Sequence, residues 1–476
     1  MNKYKNIIRQ HLPQLLLQRQ NRKIEPEIRQ AIDVLCQHST ETPTVYIGTS
    51  TCGIIAGADK TLEKIKEYKK NNLPDLHIVE VGCTGMCNAE PVMDIQLPGR
   101  QRLSFRNVKD MDVDAIIDGT LNNYPPAKKI LGQYKTQGIS EWPDVPYLHD
   151  LDFFSSQKHS ILKRAGFSDP GSLEEYIALN GYNAFTTAIT QYTSKELCEL
   201  MISSKLKGRS GSGYLTGEKW KNGLEQVNSR KYFICNADES DPGSFVDRSI
   251  AESDPHLVIE GIAIGAYAVK ASEAIIYIRE RYTNAIKLLS KAIESCYNAG
   301  IIGENIIGSG FNLNIRLIKG PGAFVCGEET ALIASIEGRR GMPSTRPPYP
   351  TETGLFGKPT IVNNLETIAN VRSVIEDGPE EFSKTGTKHS SGTKLFSVSG
   401  KIANPGIIEI PMGSKISDVI SICGGIPNDK ELKAIHVGGP SGGFLSLSEL
   451  DLNIDYDELI NAGVWIGSGS FIVLDE

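Results

Sequence analysis

The spacing of apolar residues changes several times along this chain of 476 residues. Near the N-terminus, Ile7, Leu12 and Leu16 recur near helical spacing between charged and amide side chains. Apolar residues three to four positions apart occupy one face of a helix, so residues 1–43 are predicted to form N-terminal helices.

The pattern changes after residue 43 to a short strand, an amphipathic helix and a second strand. The strand TVYIGTS covers residues 44–50, the helix ADKTLEKIKEYKKNN residues 58–72, and the strand LHIVEVG residues 76–82. This succession predicts a small α/β unit over residues 44–120.

The spacing of apolar residues and the local composition predict three further regions. Residues 121–190 are rich in Tyr, Pro and Asp with weak periodicity, which predicts a connecting arm. Residues 191–385 read as a long α/β region, in which residues 255–279 predict a buried helix followed by a strand. Residues 386–476 predict two strands, a turn and a short helix, as in a β-grasp-like module. The expected fold class is therefore multidomain α/β.

Composition narrows the class of protein. Apolar residues make up 40% and charged residues 22% of the chain, and the formal net charge is −7. Without a long basic run, a nucleic-acid partner is not expected, and no apolar stretch reaches transmembrane length. The N-terminus lacks a secretory cleavage pattern, and nine scattered cysteines suit a reducing cytoplasm. A cytoplasmic enzyme is expected.

A glycine-rich stretch, GRSGSGYLTGEKW at 208–220, is the first candidate for chemistry. Its glycines and serines allow a close approach to a ligand and can turn backbone N–H groups toward phosphate. Arg209 and Lys219 supply positive charge and Tyr214 a stacking ring. Because the stretch does not match G-x-G-x-x-G, the ordinary dinucleotide fingerprint is excluded.

An acidic stretch, CNADESDPGSFVDR at 235–248, follows a predicted strand. Within it, Asp247 and Arg248 are expected to form a salt bridge that closes the turn. The run GPSGG at 439–443 fits a nucleophile-elbow pattern, but no histidine follows it, so a turn is expected there instead.

A third stretch covers residues 320–350 and continues at 357–371. Glu328 and Glu329 fall at a predicted helix start, where the helix dipole favours carboxylates, although Glu328 can be a helix-start charge alone. The amides at 363–364 offer donors and acceptors that suit a flavin ring edge or ribityl chain.

Four stretches, taken in order, closely resemble the flavin- and NADH-binding subunit of respiratory complex I. They are GRSGSGYLTGEKW, NADESDPGSFVDR, CGEETALIASIEG and PTIVNNLETIANV. The same subunit recurs in NAD-dependent hydrogenases and formate dehydrogenases. The resemblance covers residues 195–476 and implies a Rossmann-like FMN/NADH domain at 191–385. It also implies a thioredoxin-like leader at 44–120 and a soluble-ligand-binding β-grasp module at 386–476.

The resemblance implies that FMN and NAD(H) share one site. Glu329 would hold a ribose hydroxyl and repel a 2′-phosphate, which favours NAD over NADP, and Tyr214 and Tyr349 would stack on adenine. Glu239 and Glu329 are the expected catalytic positions. The full predicted cofactor set is Gly208, Arg209, Ser210, Gly211, Ser212, Tyr214, Lys219, Asn236, Asp238, Glu239, Asp241, Phe324, Gly327, Glu328, Glu329, Tyr349, Asn363 and Asn364.

Several residues depart from the family pattern. Ser210 and Ser212 replace small residues, Asp241 replaces a glutamate, Asn222 stands at an aromatic position, and Arg346 replaces a lysine-like charge. The chain also contains no C-x-x-C-x-x-C run, so no [4Fe–4S] motif is expected in it. Either the sequence is a piece of a longer protein or that electron relay is natively missing.

The leader carries Cys52, Cys83 and Cys87, which resemble the ligands of thioredoxin-like [2Fe–2S] domains. Such a cluster takes four thiolates, but Gly57 occupies the position of the missing one. An oxygen donor or Cys36 can fill the gap; alternatively, the cysteines serve packing alone.

Two functional hypotheses follow. One is an FMN-dependent NADH dehydrogenase component that passes electrons to a small thioredoxin-like iron–sulfur subunit and larger catalytic or electron-transfer subunits. The other is a cofactor-poor paralogue with a structural or regulatory role. The sequence names no final electron acceptor.

Overall fold

A computed structural model describes residues 2–18, 24–36, 40–428 and 430–476. Within these ranges, three separate β-sheets and their helices make up a mixed, multidomain α/β fold, which confirms the predicted fold class. Amphipathic helices form the N-terminus, as predicted, and bury Ile8 and Leu35 against the main core. They are α1 (Asn2–Gln10), α2 (Leu12–Gln18) and α3 (Pro26–Leu35).

The first sheet has the strand order β2-β1-β3-β4-β5. Its β1–β2 pair is parallel and its other pairs are antiparallel. The last strand lies beyond residue 120, so the predicted boundary of this unit falls too early. The elements are β1 (Thr44–Gly48), α4 (Thr51–Ala56), α5 (Ala58–Asn71), β2 (His77–Val81), β3 (Met93–Gln96), β4 (Leu103–Phe105), α6 (Val113–Leu121) and β5 (Ile130–Gln133).

The region predicted as a connecting arm contains β5 and three short helices. It is fixed to the C-terminal module by Glu409, a fully buried carboxylate that accepts backbone N–H groups of residues 160–162 at 3.0–3.1 Å. A long-range anchor of this kind leaves no periodic signal in the sequence. The helices are α7 (Asp152–Ser155), α8 (Leu173–Ala178) and α9 (Asn183–Gln191).

The second sheet is parallel, with the order β8-β7-β6-β9. The helix predicted within residues 255–279 is α13, almost every residue of which is buried, and β7 follows it. The elements are α10 (Ser194–Ser203), α11 (Thr216–Glu225), β6 (Tyr232–Ala237), α12 (Val246–Ser253), α13 (Pro255–Val269), β7 (Glu273–Arg279), α14 (Thr283–Asn298), β8 (Asn314–Gly320), α15 (Glu329–Ile336), β9 (Thr360–Asn364), α16 (Leu365–Asp377) and α17 (Pro379–Ser383).

The third sheet, in the C-terminal module, has the order β11-β10-β14-β12-β13 around its own apolar core. The predicted two strands, turn and short helix are β10, β11 and α18. Its elements are β10 (Thr393–Gly400), β11 (Gly406–Pro411), α18 (Ile416–Ile422), β12 (Leu432–Val437), β13 (Gly443–Leu445), α19 (Tyr456–Asn461) and β14 (Ser470–Asp475). Among the helices of the described residues, none has the length and apolarity needed to cross a membrane.

Candidate functional site

The parallel sheet reverses its winding direction between β6 and β9. From β6 the chain adds β7 and then β8 on one side, whereas β9 pairs with β6 on the other side. Ligands of open α/β sheets bind outside the carboxyl ends of strands at such a reversal. Asn236 and Asn364 are register partners at this point, so the acidic turn and the amide pair meet there.

Asp238 is a lining carboxylate of the site without a hydrogen bond of standard geometry among the described residues. The residue is 6% exposed, and neither carboxylate oxygen has a hydrogen-bond partner among the described residues. Burial raises the pKa of Asp238 to about 6, and the positive charge of Arg279 and the nearby Ser240 hydroxyl oppose the rise. A buried carboxylate without partners is costly, so it signals a ligand donor that completes its hydrogen bonds.

Glu239, next in the chain, has a different environment. Its carboxylate accepts hydrogen bonds from Ser244 Oγ at 2.6 Å, from backbone N–H groups of residues 246–248 at 2.5–3.1 Å, and from Tyr282 Oη at 3.1 Å. It therefore caps the N-terminus of α12, where the helix leaves backbone donors free. This placement does not match the catalytic role predicted for Glu239, because its oxygens are engaged within the protein.

The amide side chains hold the neighbouring segments in position. Asn236 Nδ2 donates to the carbonyl of Gly327 at 2.8 Å, and its Oδ1 accepts the backbone N–H of Asp238 at 3.1 Å. Asn363 Oδ1 accepts from Trp220 Nε1 at 2.8 Å, which anchors β9 to α11. Side-chain amides thus connect the acidic turn to the Gly327 segment and the amide pair to the helix after the glycine-rich loop.

Asp247 does not form the salt bridge with Arg248 that the sequence suggested. Its Oδ2 accepts from Asn364 Nδ2 at 2.7 Å, and its Oδ1 from the backbone N–H of Glu366 at 3.2 Å. Burial raises the pKa of Asp247 well above its usual range, and the nearby Glu239 and Glu366 carboxylates add to the rise. Asp247 therefore fixes the orientation of the Asn364 side chain.

The glycine-rich loop is closed by a hydrogen bond from Gly208 N–H to the Tyr214 carbonyl at 2.8 Å. Gly211 has φ +104°, and a Cβ there would come within 2.9 Å of Gly467 Cα, so glycine is required. Arg209 is fully buried, and its guanidinium donates to the Ser391 carbonyl at 2.5 Å. The expectation that Arg209 supplies charge to the ligand does not match this placement.

A cavity of about 380 Å³ lies where these segments meet, within the range of small-ligand pockets. We call it the flavin cavity, after the ligand that the family resemblance implies for these residues. The C-terminal module also contributes to its wall, which sequence reasoning missed; the GSGS run at 467–470 was the available signal. Its lining residues include Ser210, Asn236, Asp238, Glu239, Ser240, Asp241, Asp247, Phe324, Val325, Gly327, Glu328, Asn364, Ser441, Gly467 and Ser468.

Besides Glu239 and Asp247, two more of the lining carboxylates have partners. Asp241 Oδ2 accepts from Ser468 Oγ at 2.5 Å, which ties the acidic turn to the C-terminal module. Glu328 accepts the N–H groups of Thr330 and Ala331 and forms an ion pair with Arg346. Although burial opposes ionisation, these contacts hold the pKa of Glu328 below its usual range. Glu328 is thus the N-cap of α15.

A second cavity, of about 560 Å³, is lined by neighbouring residues of the same segments, and we call it the dinucleotide cavity, after the second ligand that the resemblance implies. Tyr214 and Tyr349 line it with rings that are 50% and 53% exposed, respectively. Lys219 and Glu329 form an ion pair in its wall, and Lys219 Nζ also donates to the Val362 carbonyl at 3.0 Å. The remaining lining residues are Ser212, Asn222, Glu225, Gln226, Arg346, Pro350, Thr351 and Glu352.

The residues of the two cavities fit a flavin nucleotide and a dinucleotide. Besides Asp238, the Ser240 hydroxyl is buried without a hydrogen bond of standard geometry among the described residues, although it lies close enough to the Asp238 carboxylate to lower its pKa. The flavin cavity thus offers a buried carboxylate and a buried hydroxyl that can bond a ligand, and the glycine-rich loop lets a ligand approach the backbone closely. The dinucleotide cavity offers two exposed aromatic rings, on which an adenine base can stack, and the Lys219–Glu329 ion pair, which can contact the polar ribose.

Three thiols of the leader lie together. The sulfur atoms of Cys52, Cys83 and Cys87 are all within 4.8 Å of one another, and Cys83 Sγ is 4.0 Å from Cys87 Sγ. Cys36 instead packs in the core formed with the N-terminal helices. Among the described residues, this group offers three thiols, so it does not fit a four-thiolate cluster.

Comparison with known sequences identifies the two central regions. The sequence profile of the family described as "Nuo51 FMN-binding domain" matches residues 201–373, and that of the "SLBB domain" matches residues 395–445. The first region contains the glycine-rich loop and every strand of the parallel sheet.

Among curated proteins, the chain is 50% identical over 315 residues to the HndC component of the NADP-reducing hydrogenase of Solidesulfovibrio fructosivorans, covering 66% of this chain and 64% of that relative. It is 45% identical over 339 residues to a component of the NADH-quinone oxidoreductase of Aquifex aeolicus, covering 71% and 77%. Among solved structures, a chain of an NAD⁺-reducing [NiFe]-hydrogenase in the H₂-reduced state matches with a TM-score of 0.58 and 25% identity, covering 97% of this chain and 77% of that chain. By sequence and by structure, this chain belongs to the family of FMN-binding components of NADH-quinone oxidoreductases and of their hydrogenase counterparts.

Proposed function

We propose that this chain is the FMN-dependent, NADH-oxidising component of a multisubunit oxidoreductase of the cytoplasm. NADH would donate a hydride in the joint site formed by the flavin and dinucleotide cavities. Electrons would then pass to iron–sulfur partner subunits. The observation that carries the proposal is Asp238, a buried carboxylate without partners among the described residues at the reversal point of a parallel sheet.

Each cavity has a distinct part in this function. Bound FMN would supply a ring that accepts two electrons as hydride and releases them one at a time. Asp238 would accept a hydrogen bond from the ring or ribityl chain, and Ser210 together with Gly208 would approach its phosphate. The chain contributes position and electrostatics, since hydride transfer needs two rings held face to face rather than a covalent catalyst.

The dinucleotide cavity would hold NADH beside the flavin. Tyr214 and Tyr349 are the exposed rings on which adenine would stack. Glu329 would exchange its bond to Lys219 for a ribose hydroxyl, which leaves Lys219 free to meet a phosphate or the flavin ring. A carboxylate at that position favours NAD over NADP, although the hydrogenase that contains HndC is named as NADP-reducing.

The alternative, a cofactor-poor structural paralogue, is disfavoured by the unpaired groups. A scaffold has no use for Asp238 buried without a partner among the described residues, because that arrangement costs free energy of folding. The flavin cavity also remains open although five acidic residues line it. Conversion of such a cavity to a packed core would stabilise a chain that no longer binds flavin.

Partner subunits are proposed from the names of the relatives, which are components of larger assemblies. We infer a small thioredoxin-like iron–sulfur subunit and a larger catalytic or electron-transfer subunit as the electron acceptors. Nine free thiols are compatible with a cytoplasmic location.

The test is spectroscopic. Purified protein, supplied with FMN, should show flavin absorbance near one equivalent per chain, and NADH added under nitrogen should bleach it. The matched control is Asp238→Ala, which should fold but hold little flavin. Protein that stays colourless after FMN addition, or flavin that NADH does not reduce, would contradict the proposal.

A further inference from the structure

A buried carboxylate lies beside the leader thiols, nearest to Cys52. Glu90 is 5% exposed, and its Oε1 lies 3.9 Å from Cys52 Sγ. The other oxygen, Oε2, accepts the backbone N–H of Val92 at 2.9 Å, which fixes the orientation of the group. One carboxylate oxygen is therefore held near the Cys52 sulfur atom while the other is anchored to the backbone.

The surrounding chain leaves space for this carboxylate. A Cβ at Gly48 would come within 2.9 Å of Glu90 Oε2, and a Cβ at Gly53 within 3.2 Å. Glycine at position 48, at the end of β1, leaves room for the Glu90 carboxylate, whereas Gly53, within α4, is required first by the Gly48 carbonyl, which a Cβ would approach to 2.4 Å. The carboxylate is thus built into the fold at this place rather than left there by a flexible surface side chain.

The thiols also have the surroundings of metal ligands. Gly85 N–H donates to Cys83 Sγ at 3.4 Å, and Cys83 N–H donates to Ser50 Oγ at 2.9 Å. Such contacts to a ligand atom and its backbone orient thiolates in metal sites. A tetrahedral ion with sulfur ligands at about 2.3 Å separates them by about 3.8 Å. The 4.0 Å separation of Cys83 and Cys87 is close to that value.

We propose that Glu90 is the fourth ligand of a metal centre formed with Cys52, Cys83 and Cys87. A Cys₃Glu set suits a tetrahedral Zn²⁺ ion, and it also suits an iron–sulfur cluster in which a carboxylate replaces one thiolate. Both sources share the same ligand chemistry, and the experiment separates them. With Glu90 as a ligand, the metal centre needs no further thiol, although glycine stands at position 57, where a cysteine was expected.

The centre would lie next to the flavin domain. Thr51, adjacent to Cys52, donates from its backbone N–H to Glu252 at 2.7 Å, near the end of α12. Glu239 caps the beginning of the same helix beside the flavin cavity. An eight-residue helix is about 12 Å long, so α12 spans the interval between the two sites.

The experiment measures metal content in the full chain purified under nitrogen. Zinc, iron and acid-labile sulfide are counted per chain for the wild type, Glu90→Ala and Glu90→Gln, and also after supply of Zn²⁺ alone or of Fe²⁺ with sulfide. The wild type should hold one centre, and both variants should bind it at least tenfold more weakly. Glu63→Ala, at an exposed helix position, is the control and should match the wild type.

A gain-of-ligand variant makes the test independent of lost stability. Glu90→Cys offers four thiolates, so with Co²⁺ as the probe the sulfur-to-metal charge-transfer band should grow by about one third. Flavin content and circular dichroism report folding of each variant. Equal metal affinity in Glu90→Ala, an unchanged cobalt spectrum in Glu90→Cys, or a wild type that holds neither metal would overturn the proposal.

Discussion

Two adjacent carboxylates show how environment divides similar residues. Asp238 is buried without a partner among the described residues, whereas Glu239 accepts hydrogen bonds from a serine, a tyrosine and three backbone N–H groups at the start of α12. The sequence predicts both as flavin ligands, because motif resemblance assigns roles by position. Which carboxylate remains free depends on where α12 begins, and that is settled by tertiary packing.

The pH dependence of flavin binding tests the role of Asp238. Burial places its pKa at about 6 before a ligand binds, and a hydrogen-bond donor on the ligand favours the ionised form. Binding then requires loss of a proton at low pH, so affinity should fall by up to about fivefold from pH 6 to pH 5. Riboflavin, which lacks the titrating phosphate, is the ligand for a fluorescence titration.

Asp238→Asn is the matched variant for that titration. It should bind riboflavin more weakly at pH 8 and show little change in affinity between pH 8 and pH 5. Wild-type affinity that rises on acidification would refute the ionised carboxylate as the binding form.

Glu329 is expected to control the choice of dinucleotide. Loss of its carboxylate in Glu329→Ala removes the repulsion of a 2′-phosphate, so the ratio of kcat/KM for NADPH to that for NADH should rise by about tenfold. Glu225→Ala removes another carboxylate of the same cavity wall as a control. An unchanged ratio in Glu329→Ala would assign the selectivity to another residue.

At the scale of elements, local periodicity was sufficient for the regular parts of the fold. The strand at 44–48, the helix at 58–71 and the buried helix α13 followed by β7 match their predictions. The arm at 121–190 was not predicted well, because its helices are held by distant contacts such as those of Glu409. The meeting of Asn236 with Asn364 depends on strand order, which periodicity does not specify.

At the scale of elements, the testable prediction concerns the cap that Glu239 forms on helix α12. Glu239→Gln keeps the side-chain size but replaces one acceptor oxygen by an NH₂ group that cannot accept backbone N–H groups. Hydrogen bonds to charged groups contribute about 1.5–3 kcal/mol, so the midpoint of thermal unfolding should fall by several degrees. The exposed residue Glu280 provides the control Glu280→Gln, which should leave the midpoint unchanged. Equal midpoints for both variants would show that the cap is dispensable.

At the scale of the whole molecule, a buried lysine connects the glycine-rich loop to the C-terminal module. Lys394 Nζ donates to Glu366 at 2.7 Å, to the Arg209 carbonyl at 2.8 Å and to the Ser468 carbonyl at 3.3 Å. Lys394 is fully buried and Glu366 is 1% exposed. The C-terminal module is therefore part of the flavin cavity and not an appendage.

Lys394→Met should destabilise the chain by about 3–5 kcal/mol, because it leaves the Glu366 carboxylate buried without its cation. The fraction of flavin retained on a desalting column should also fall, because the glycine-rich loop loses the hydrogen bond from Lys394 to the Arg209 carbonyl. The double variant Lys394→Met with Glu366→Gln removes the unpaired charge and should recover much of the stability. Destabilisation that the second substitution leaves unrelieved would contradict the charge-based explanation.

The most direct test of the central claim is an experimental structure of the full chain with FMN bound. The flavin ring should occupy the cavity between Ser210, Asp238 and Asn364, with a hydrogen bond to an Asp238 oxygen and the phosphate near the glycine-rich loop. FMN bound at any other place, or an Asp238 carboxylate that remains without a ligand contact, would contradict the assignment.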